Sequence, residues 1–393
     1  MNRDMQSKPR YEALDGLRGV AALVVLIYHH FELSGRWDVT TMPVNHGYLA
    51  VDFFFILSGF VVGYAYDDRW GRMTTWQFFK RRLVRLHPMI IFATLLCMAT
   101  FYFGLSGDFF PMIKDTGVGQ LLLLGLLSML MIPALPSMDI RGWTETNPVN
   151  GNAWTLYFEY FANIAYALVI RRFPRWLLTL FVCATAVLTL DLTFDLNLFG
   201  MLDGRTAEAY TVIGGWSMTP DQLYIGFSRL LFPFFAGLLL SRCSASLNHL
   251  NPLNHLNFTI VSLILIIVLV FPRLGGAEHF VSNGIYEAVS ILVLFPVIVW
   301  IGSRAHIGKR EQRICRWLGD ISYPLYVTHY AIVFNIVAPW CKAHADISDS
   351  QMLFVNLASF VCSILVADAA MRLFDIPVRS WLKNKLLKQQ QTL

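Results

Sequence analysis

The chain has 393 residues, of which 56% are hydrophobic, 14% aromatic and only 15% charged, and its mean hydropathy is +0.52. Soluble domains carry roughly 25% charged residues, so this is a polytopic membrane protein, and its length gives no domain count. The net charge of +5 is no nucleic-acid footprint, because Lys and Arg stand in short clusters between apolar runs, as topology charge does.

In chain order, Arg3, Lys8 and Arg10 precede a first apolar segment at 17–34. The second, 48–66, is followed by Arg69, Arg72, Lys80, Arg81, Arg82 and Arg85. Segments at 89–105, 119–136 and 153–170 come next, then Arg171, Arg172 and Arg175. Those at 176–194, 223–241, 257–273 and 284–302 lead to Arg304, Lys309, Arg310, Arg313 and Arg316. The last two, 320–340 and 351–371, are followed by Arg372, Arg379, Lys383, Lys385 and Lys388. Each segment is long enough, or nearly so, to cross a bilayer as a helix.

The positive-inside rule assigns every one of these clusters to the cytoplasm. From Arg171 onward the alternation holds. Between Arg82 and Arg171 it fails, because three segments cannot return the chain to the same side. The expected fold is therefore an all-α transmembrane bundle of about 10 crossings, both termini cytoplasmic, in which one of 89–105 or 119–136 is re-entrant or interfacial. Eleven crossings with one violated loop is the alternative. In the first arrangement "GWTETNPVNGNAWT" is an outside loop. Residues 1–372 read as a single membrane domain and 373–393 as a basic cytoplasmic tail resting on anionic headgroups. The start of the chain lacks a short apolar core with a small-residue cleavage site, so no removed signal peptide is expected. Cysteines at 97, 183, 243, 315, 341 and 362 show no CxxC spacing and read as packing residues, with neither disulfides nor a metal expected.

Ionisable residues inside spans are costly and mark functional sites. In "LRGVAALVVLIYHH", Arg18 and His29 are eleven positions apart, about 20° from eclipsed and roughly 16 Å apart on one helix face. The bland alternative for Arg18 alone is a snorkelling arginine and for His29 alone a packing residue; His30 points about 100° away and reads as structural. Asp52, in "VDFFFILSGFVVGY", either orients an imidazole or starts a helix near water; Ser58–Phe60 form a small patch for close helix approach. Arg82 and Arg85 share a helix face ahead of Pro88 and suit phosphate, whereas Lys80 and Arg81 read as topology charge. Trp154 alone is an aromatic-belt residue, and Glu159 a turn and a half deeper is the stronger signal. Ser322, Tyr326 and His329 fall at i, i+4, i+7 and form one polar stripe.

Taken in order, these pieces resemble the membrane acyltransferase family 3, integral-membrane enzymes that modify cell-surface glycans. "LDGLRGVAALVVLIYH" resembles the family's first-helix element, a basic residue followed after ten others by histidine. "VDFFFILSGFV" resembles its second-helix element and "RLVRLHP" its Arg-x-x-Arg motif. "WTLYFE" resembles its Trp-Ser-Leu…Glu element with Thr155 in place of serine, and "GDISYPLYVTH" its late Ser-Tyr…Tyr…His element. The resemblance covers nearly the whole chain, and no SGNH hydrolase domain, such as is fused to some members, is expected.

The resemblance implies a bacterial cytoplasmic-membrane O-acyltransferase that takes an acyl group, most often acetyl, from cytoplasmic acyl-CoA to a hydroxyl of a glycan or lipid-linked saccharide. No permanently bound cofactor and no nucleic-acid partner are expected. Arg18, Arg82 and Arg85 would grip the phosphates of coenzyme A. His29 would be general base or acyl-carrying nucleophile, with Glu159 or His329 orienting it or acting as a second acid–base. Asp52, Trp154, Ser322, Tyr323 and Tyr326 are the candidates along the acceptor path. The rival classes are a proton-coupled secondary transporter, for which an inverted repeat is expected and not seen, and a glycan exporter.

Overall fold

The computed structural model describes residues 8–34, 40, 42–103, 109–205, 209–244, 257–305, 307–344 and 346–387. Among them the chain is helical without a strand; one isolated bridge joins Glu145 and Ser217. The helices are α1 (Glu12–Ser34), α2 (Ala50–Tyr66), α3 (Thr75–Phe103), α4 (Val118–Met129), α5 (Trp154–Leu168), α6 (Arg175–Phe194), α7 (Pro220–Cys243) and α8 (Phe258–Val270). Then come α9 (Phe280–Val289) and α10 (Phe295–Gly302), α11 (Lys309–Ile332) and α12 (Ala338–Ala343), and α13 (Asp349–Ala370) and α14 (Ile376–Leu387). Each of these last three pairs is one rod joined by a π-turn, at Ser290–Leu294, Val333–Val337 and Met371–Asp375.

Eight helices among the described residues, counting each joined pair as one, are long and apolar enough to cross a membrane. The all-α transmembrane bundle expected from the sequence is what forms. Of the two segments in question between Arg82 and Arg171, 89–105 lies in the 29-residue α3, while 119–136 supplies the 12-residue α4. Twelve residues rise only about 18 Å, short of a hydrocarbon core of about 30 Å. The chain leaves α4 through Met131 at φ 55°, so it turns rather than continues. The segments at 153–170 and 257–273 also form helices shorter than their apolar runs, of 15 and 13 residues. The region read as a tail is helical as far as Leu387, continuous with α13; its last six residues, 388–393, lie outside the described ones.

Apolar burial drives little association between helices in lipid, so close backbone approach matters more. Small residues supply it here. Gly59 of α2 faces the Phe234 carbonyl of α7, and Gly237 of α7 faces the Ile56 carbonyl of α2; a Cβ at either would overlap that oxygen. The small patch read at Ser58–Phe60 therefore does pack a helix. A second reciprocal pair locks α1 to α11: a Cβ at Gly19 would meet the Leu318 carbonyl at 2.5 Å, and one at Gly319 would meet Asp15 Cβ at 2.6 Å. These contacts run α1 and α11 parallel and side by side. In the α11–α12 rod, 89% of the most apolar 18-residue window is buried, against 17% for the α13–α14 rod. The seam between α1 and α11 is thus the centre of the bundle, and α13 is a peripheral helix with most of its apolar surface uncovered.

Candidate active site

The α1–α11 seam carries polar side chains along its length. At one end Arg18 Nε donates to Ser322 Oγ (2.8 Å) and Arg18 Nη2 to the Gly319 carbonyl (2.7 Å). At the other end the His29 and His329 rings stack, with centroids 5.3 Å apart and planes inclined by 27°. The shared face read from the eleven-residue spacing is therefore real, and the polar stripe on α11 is its partner.

The two imidazoles have different surroundings. His329 is buried. Its Nδ1–H donates to the Leu325 carbonyl (2.9 Å), and its Nε2 accepts from the Asn152 amide (2.8 Å), so both ring nitrogens are occupied. His29 is bonded at Nδ1 only, to Glu32 Oε2 at 2.7 Å. With Glu32 accepting the Nδ1 proton, the lone pair sits on Nε2, which has no hydrogen-bond partner among the described residues. The His29 side chain keeps 18% of its surface exposed, while Phe334 closes one edge of its ring (centroids 5.1 Å). His30 is buried and spans the Leu26 carbonyl (2.7 Å) and Ser359 Oγ (2.6 Å), the structural role read for it.

The loop containing "TETNPVNGN" packs onto this site. Asn150 Nδ2 donates to the Val327 carbonyl (3.0 Å), Asn147 Nδ2 to Ser128 Oγ (2.9 Å), and Asn152 reaches His329. Arg141 is fully buried there; it donates to the Pro148 carbonyl (2.5 Å) and to Asn335 Oδ1 (2.8 Å) in the π-turn that follows α11. Tyr330 donates to both oxygens of Glu145 (2.9 and 3.0 Å). Burial pushes the Glu145 carboxyl up to about 7, against the opposing pull of the Arg141 guanidinium and the Tyr330 hydroxyl. Tyr326 shares a hydrogen bond with Thr155 Oγ1 (2.9 Å) and lies edge-on to His329 (6.1 Å). Thr155, where serine is usual, keeps that hydroxyl contact.

Other sequence-selected residues fall elsewhere. Glu159 does not orient either histidine: its Oε1 accepts from Arg82 Nη2 (2.6 Å) and Ser58 Oγ (2.8 Å), tying α5 to α3 and α2. Asp52 does not orient an imidazole either. It is fully buried, and Arg229 of α7 bonds it at 2.7 and 3.3 Å while reaching the Tyr48 and Gly214 carbonyls. Trp154 is buried rather than in an interfacial belt, with the Arg229 guanidinium 5.4 Å from its ring centre and Phe158 edge-on at 5.9 Å. Tyr323 donates to the Leu86 carbonyl (2.8 Å), fastening α11 to α3. Arg85 is exposed and has neither a hydrogen bond nor an ion pair among the described residues; Arg18 and Arg82 lie within its electrostatic range.

Sequence reasoning passed over Glu32, Asn152, Arg229 and the buried Arg273–Glu287 pair (2.5 Å), whose Glu287 also accepts from Tyr48 (2.7 Å). Glu32 was detectable, standing three residues beyond His29 on the same face. Among the described residues no group of three or more His, Cys, Asp or Glu side chains is placed to hold a metal.

A family model described as "Acyltransferase domain" matches residues 11–372. Protein 2 in the picA locus of Rhizobium radiobacter is 34% identical over 169 residues, which cover 41% of this chain and 84% of that protein. O-acetyltransferase OatA of Staphylococcus aureus is 23% identical over 384 residues, 94% of this chain. A putative O-acetyltransferase of Staphylococcus aureus strain COL is 24% identical over 394 residues, 95% of this chain. The chain spans 58% of the length of each of the latter two. No solved structure matches.

Proposed function

The chain belongs to the acyltransferase family whose model it matches from residue 11 to 372, and from that premise we propose that it is an O-acyltransferase, by preference an O-acetyltransferase. In this reading it moves an acyl group from cytoplasmic acyl-CoA to a hydroxyl of a cell-surface or exported glycan, in a bacterial cytoplasmic membrane. The observation that carries it is the α1–α11 seam: a free imidazole nitrogen, His29 Nε2, at one end, and cations at the other. The O-acetyltransferase names of two relatives support the acyl class, and the polyanionic character of coenzyme A fits the exposed guanidinium of Arg85.

His29 Nε2 takes the proton from the acceptor hydroxyl as its oxygen attacks the thioester carbonyl. The carbon–sulfur bond breaks, and the leaving thiolate receives that proton from the imidazolium. Glu32 holds the ring and stabilises its transient charge. His329, with both nitrogens engaged, is a wall that fixes the His29 ring plane and not a second base. Tyr326 borders the acceptor path beside it. Arg82 and Glu159 brace each other at the donor end, and Asp52 and Trp154 hold the framework around Arg229.

The test is acetyl-CoA consumption by purified protein in nanodiscs with the acetyl group labelled, comparing wild type with His29→Ala and Arg85→Ala. Thioester loss or labelled product that needs His29, with a raised KM in Arg85→Ala, supports the reading. No turnover of any acyl-CoA by folded wild type overturns it and turns attention to proton flux in liposomes. Glu32→Gln retains an acceptor for the Nδ1 proton but removes the charge. It is expected to lower kcat about tenfold to hundredfold with donor KM unchanged. Glu32→Leu, which loses the acceptor as well, is expected to fall further. Equal loss in both variants would show that the hydrogen bond contributes nothing beyond the charge, and no loss in Glu32→Gln would show that the charge is not needed.

A further inference from the structure

The sequence pairs Arg82 with Arg85 as a phosphate grip because both lie on one face of α3. The structure withdraws Arg82 from that role: it is buried, and its Nη2 donates to Glu159 at 2.6 Å. The cations packed around Arg85 are largely engaged as well. Arg10 bonds Asp15 (3.0 Å) and Asp320 (2.9 Å), Arg18 bonds Ser322 and the Gly319 carbonyl, and Arg379 bonds Asp375 at 2.6 Å. Arg85 itself is not, and neither is Lys383 on α14, which is exposed and without a hydrogen bond or ion pair among the described residues.

The fold brings them together from distant parts of the chain. The π-turn at Met371–Asp375 and α14 pack against α3, with the Phe374 ring 5.2 Å from that of Phe92. Asp375, two turns before Lys383, lies within electrostatic range of both Arg85 and Lys383, and Arg85 within range of Lys383. Asp375 is neutralised by its bond to Arg379, so the neighbourhood retains the charge of both free cations. Two like charges held close by packed helices, neither bonded to a carboxylate among the described residues, repel each other, and an anion bridging them relieves that repulsion. A guanidinium fork and an ammonium point charge are the two side-chain types that take phosphate oxygens.

We propose that Arg85 and Lys383 together form a phosphate-binding pair, the helix α14 being one wall of the donor site. The ligand class is a phosphoryl group carried on a nucleotide, a phosphomonoester or a diphosphate. The nucleotide part of that assignment rests on the acyl-CoA reading, but the binding pair is tested apart from it.

The experiment is calorimetric titration of the full chain in nanodiscs with adenosine 3′,5′-bisphosphate. The proteins compared are wild type, Lys383→Gln, Arg85→Gln, Lys383→Arg and, as a control cation on the same helix, Lys385→Gln, whose wild-type ammonium sits over the Trp381 ring at 4.9 Å. Losing a charge-assisted hydrogen bond weakens binding by about tenfold to hundredfold. That loss is expected for Lys383→Gln and Arg85→Gln, whereas Lys383→Arg and Lys385→Gln bind as wild type does. Unchanged affinity in Lys383→Gln, or no binding of the probe by wild type, overturns the proposal. Binding with the expected pattern, in a protein that consumes no acyl-CoA, keeps the phosphate pair and sinks the donor reading alone.

Discussion

Exchange of His29 for glutamine is expected to cut acyl transfer by about a hundredfold to ten-thousandfold, the range lost when a positioned acid–base group is removed. Glutamine preserves approximate length and a polar end, so the seam between α1 and α11 should stay packed and the folded yield unchanged. What disappears is the Nε2 lone pair, on the one imidazole nitrogen in the stacked pair without a hydrogen-bond partner among the described residues. The contrast is His30→Gln on the same helix. His30 bridges the Leu26 carbonyl and Ser359, so its loss should loosen the contact between α1 and α13 and lower the melting midpoint while leaving kcat of the folded fraction near wild type. Steady-state rates normalised to monodisperse protein, with melting curves alongside, separate the two. Normal acylation by His29→Gln at normal protein level would remove His29 from the chemistry.

Truncation of Asp52 to alanine is expected to destabilise the fold by about 3–5 kcal/mol, the cost of stranding one member of a buried ion pair. Arg229 would then keep the Tyr48 and Gly214 carbonyls and the Trp154 ring but lose the carboxylate bonded to it at the α2–α7 contact. Low accumulation and a lower melting midpoint should follow. The double change Asp52→Leu with Arg229→Met removes both charges and should recover much of the stability, as apolar replacement of whole buried pairs often does. Asp52→Ala protein that melts like wild type yet has lost activity would return Asp52 to the acceptor site, where sequence reasoning had put it.

Much of the architecture can be read from periodicity and charge. Apolar run length identifies most of the long helices, and the positive clusters single out the stretch between Arg82 and Arg171, where α4 has 12 residues and α5 has 15. The Arg18–His29 face survives because an isolated α-helix has one geometry, and eleven residues nearly close three turns. The polar stripe of α11 is legible for the same reason. Partnership between helices is not, because spacing along one helix says nothing about which other helix faces it. Asp52 and Glu159 were given to an imidazole because an imidazole was the polar group in view. Arg229 and Glu287 stand inside apolar runs at 223–241 and 284–302 and carried the same intramembrane signal; weighing them would have offered Asp52 a cation. Lys383 was hidden by its place in a basic segment, where a charge required for topology and a charge required for binding look identical.

The reciprocal glycines of the α1–α11 contact have a consequence for which donors can be used. With Gly19 under the Leu318 carbonyl and Gly319 against Asp15, the two helices meet backbone to backbone, and a side chain larger than hydrogen at either glycine would force them apart. The spacing from Arg18 to His29 is then a rigid ruler of about 16 Å, set by eleven residues of helix rise. For the proposed donor, a carrier held by phosphate near the Arg18 end of the seam delivers its reactive carbon to the imidazole only if its arm is long enough to cover that distance. A short thioester without the nucleotide would have to find the same place unguided. Donor selection in this protein is thereby a matter of reach as much as of charge.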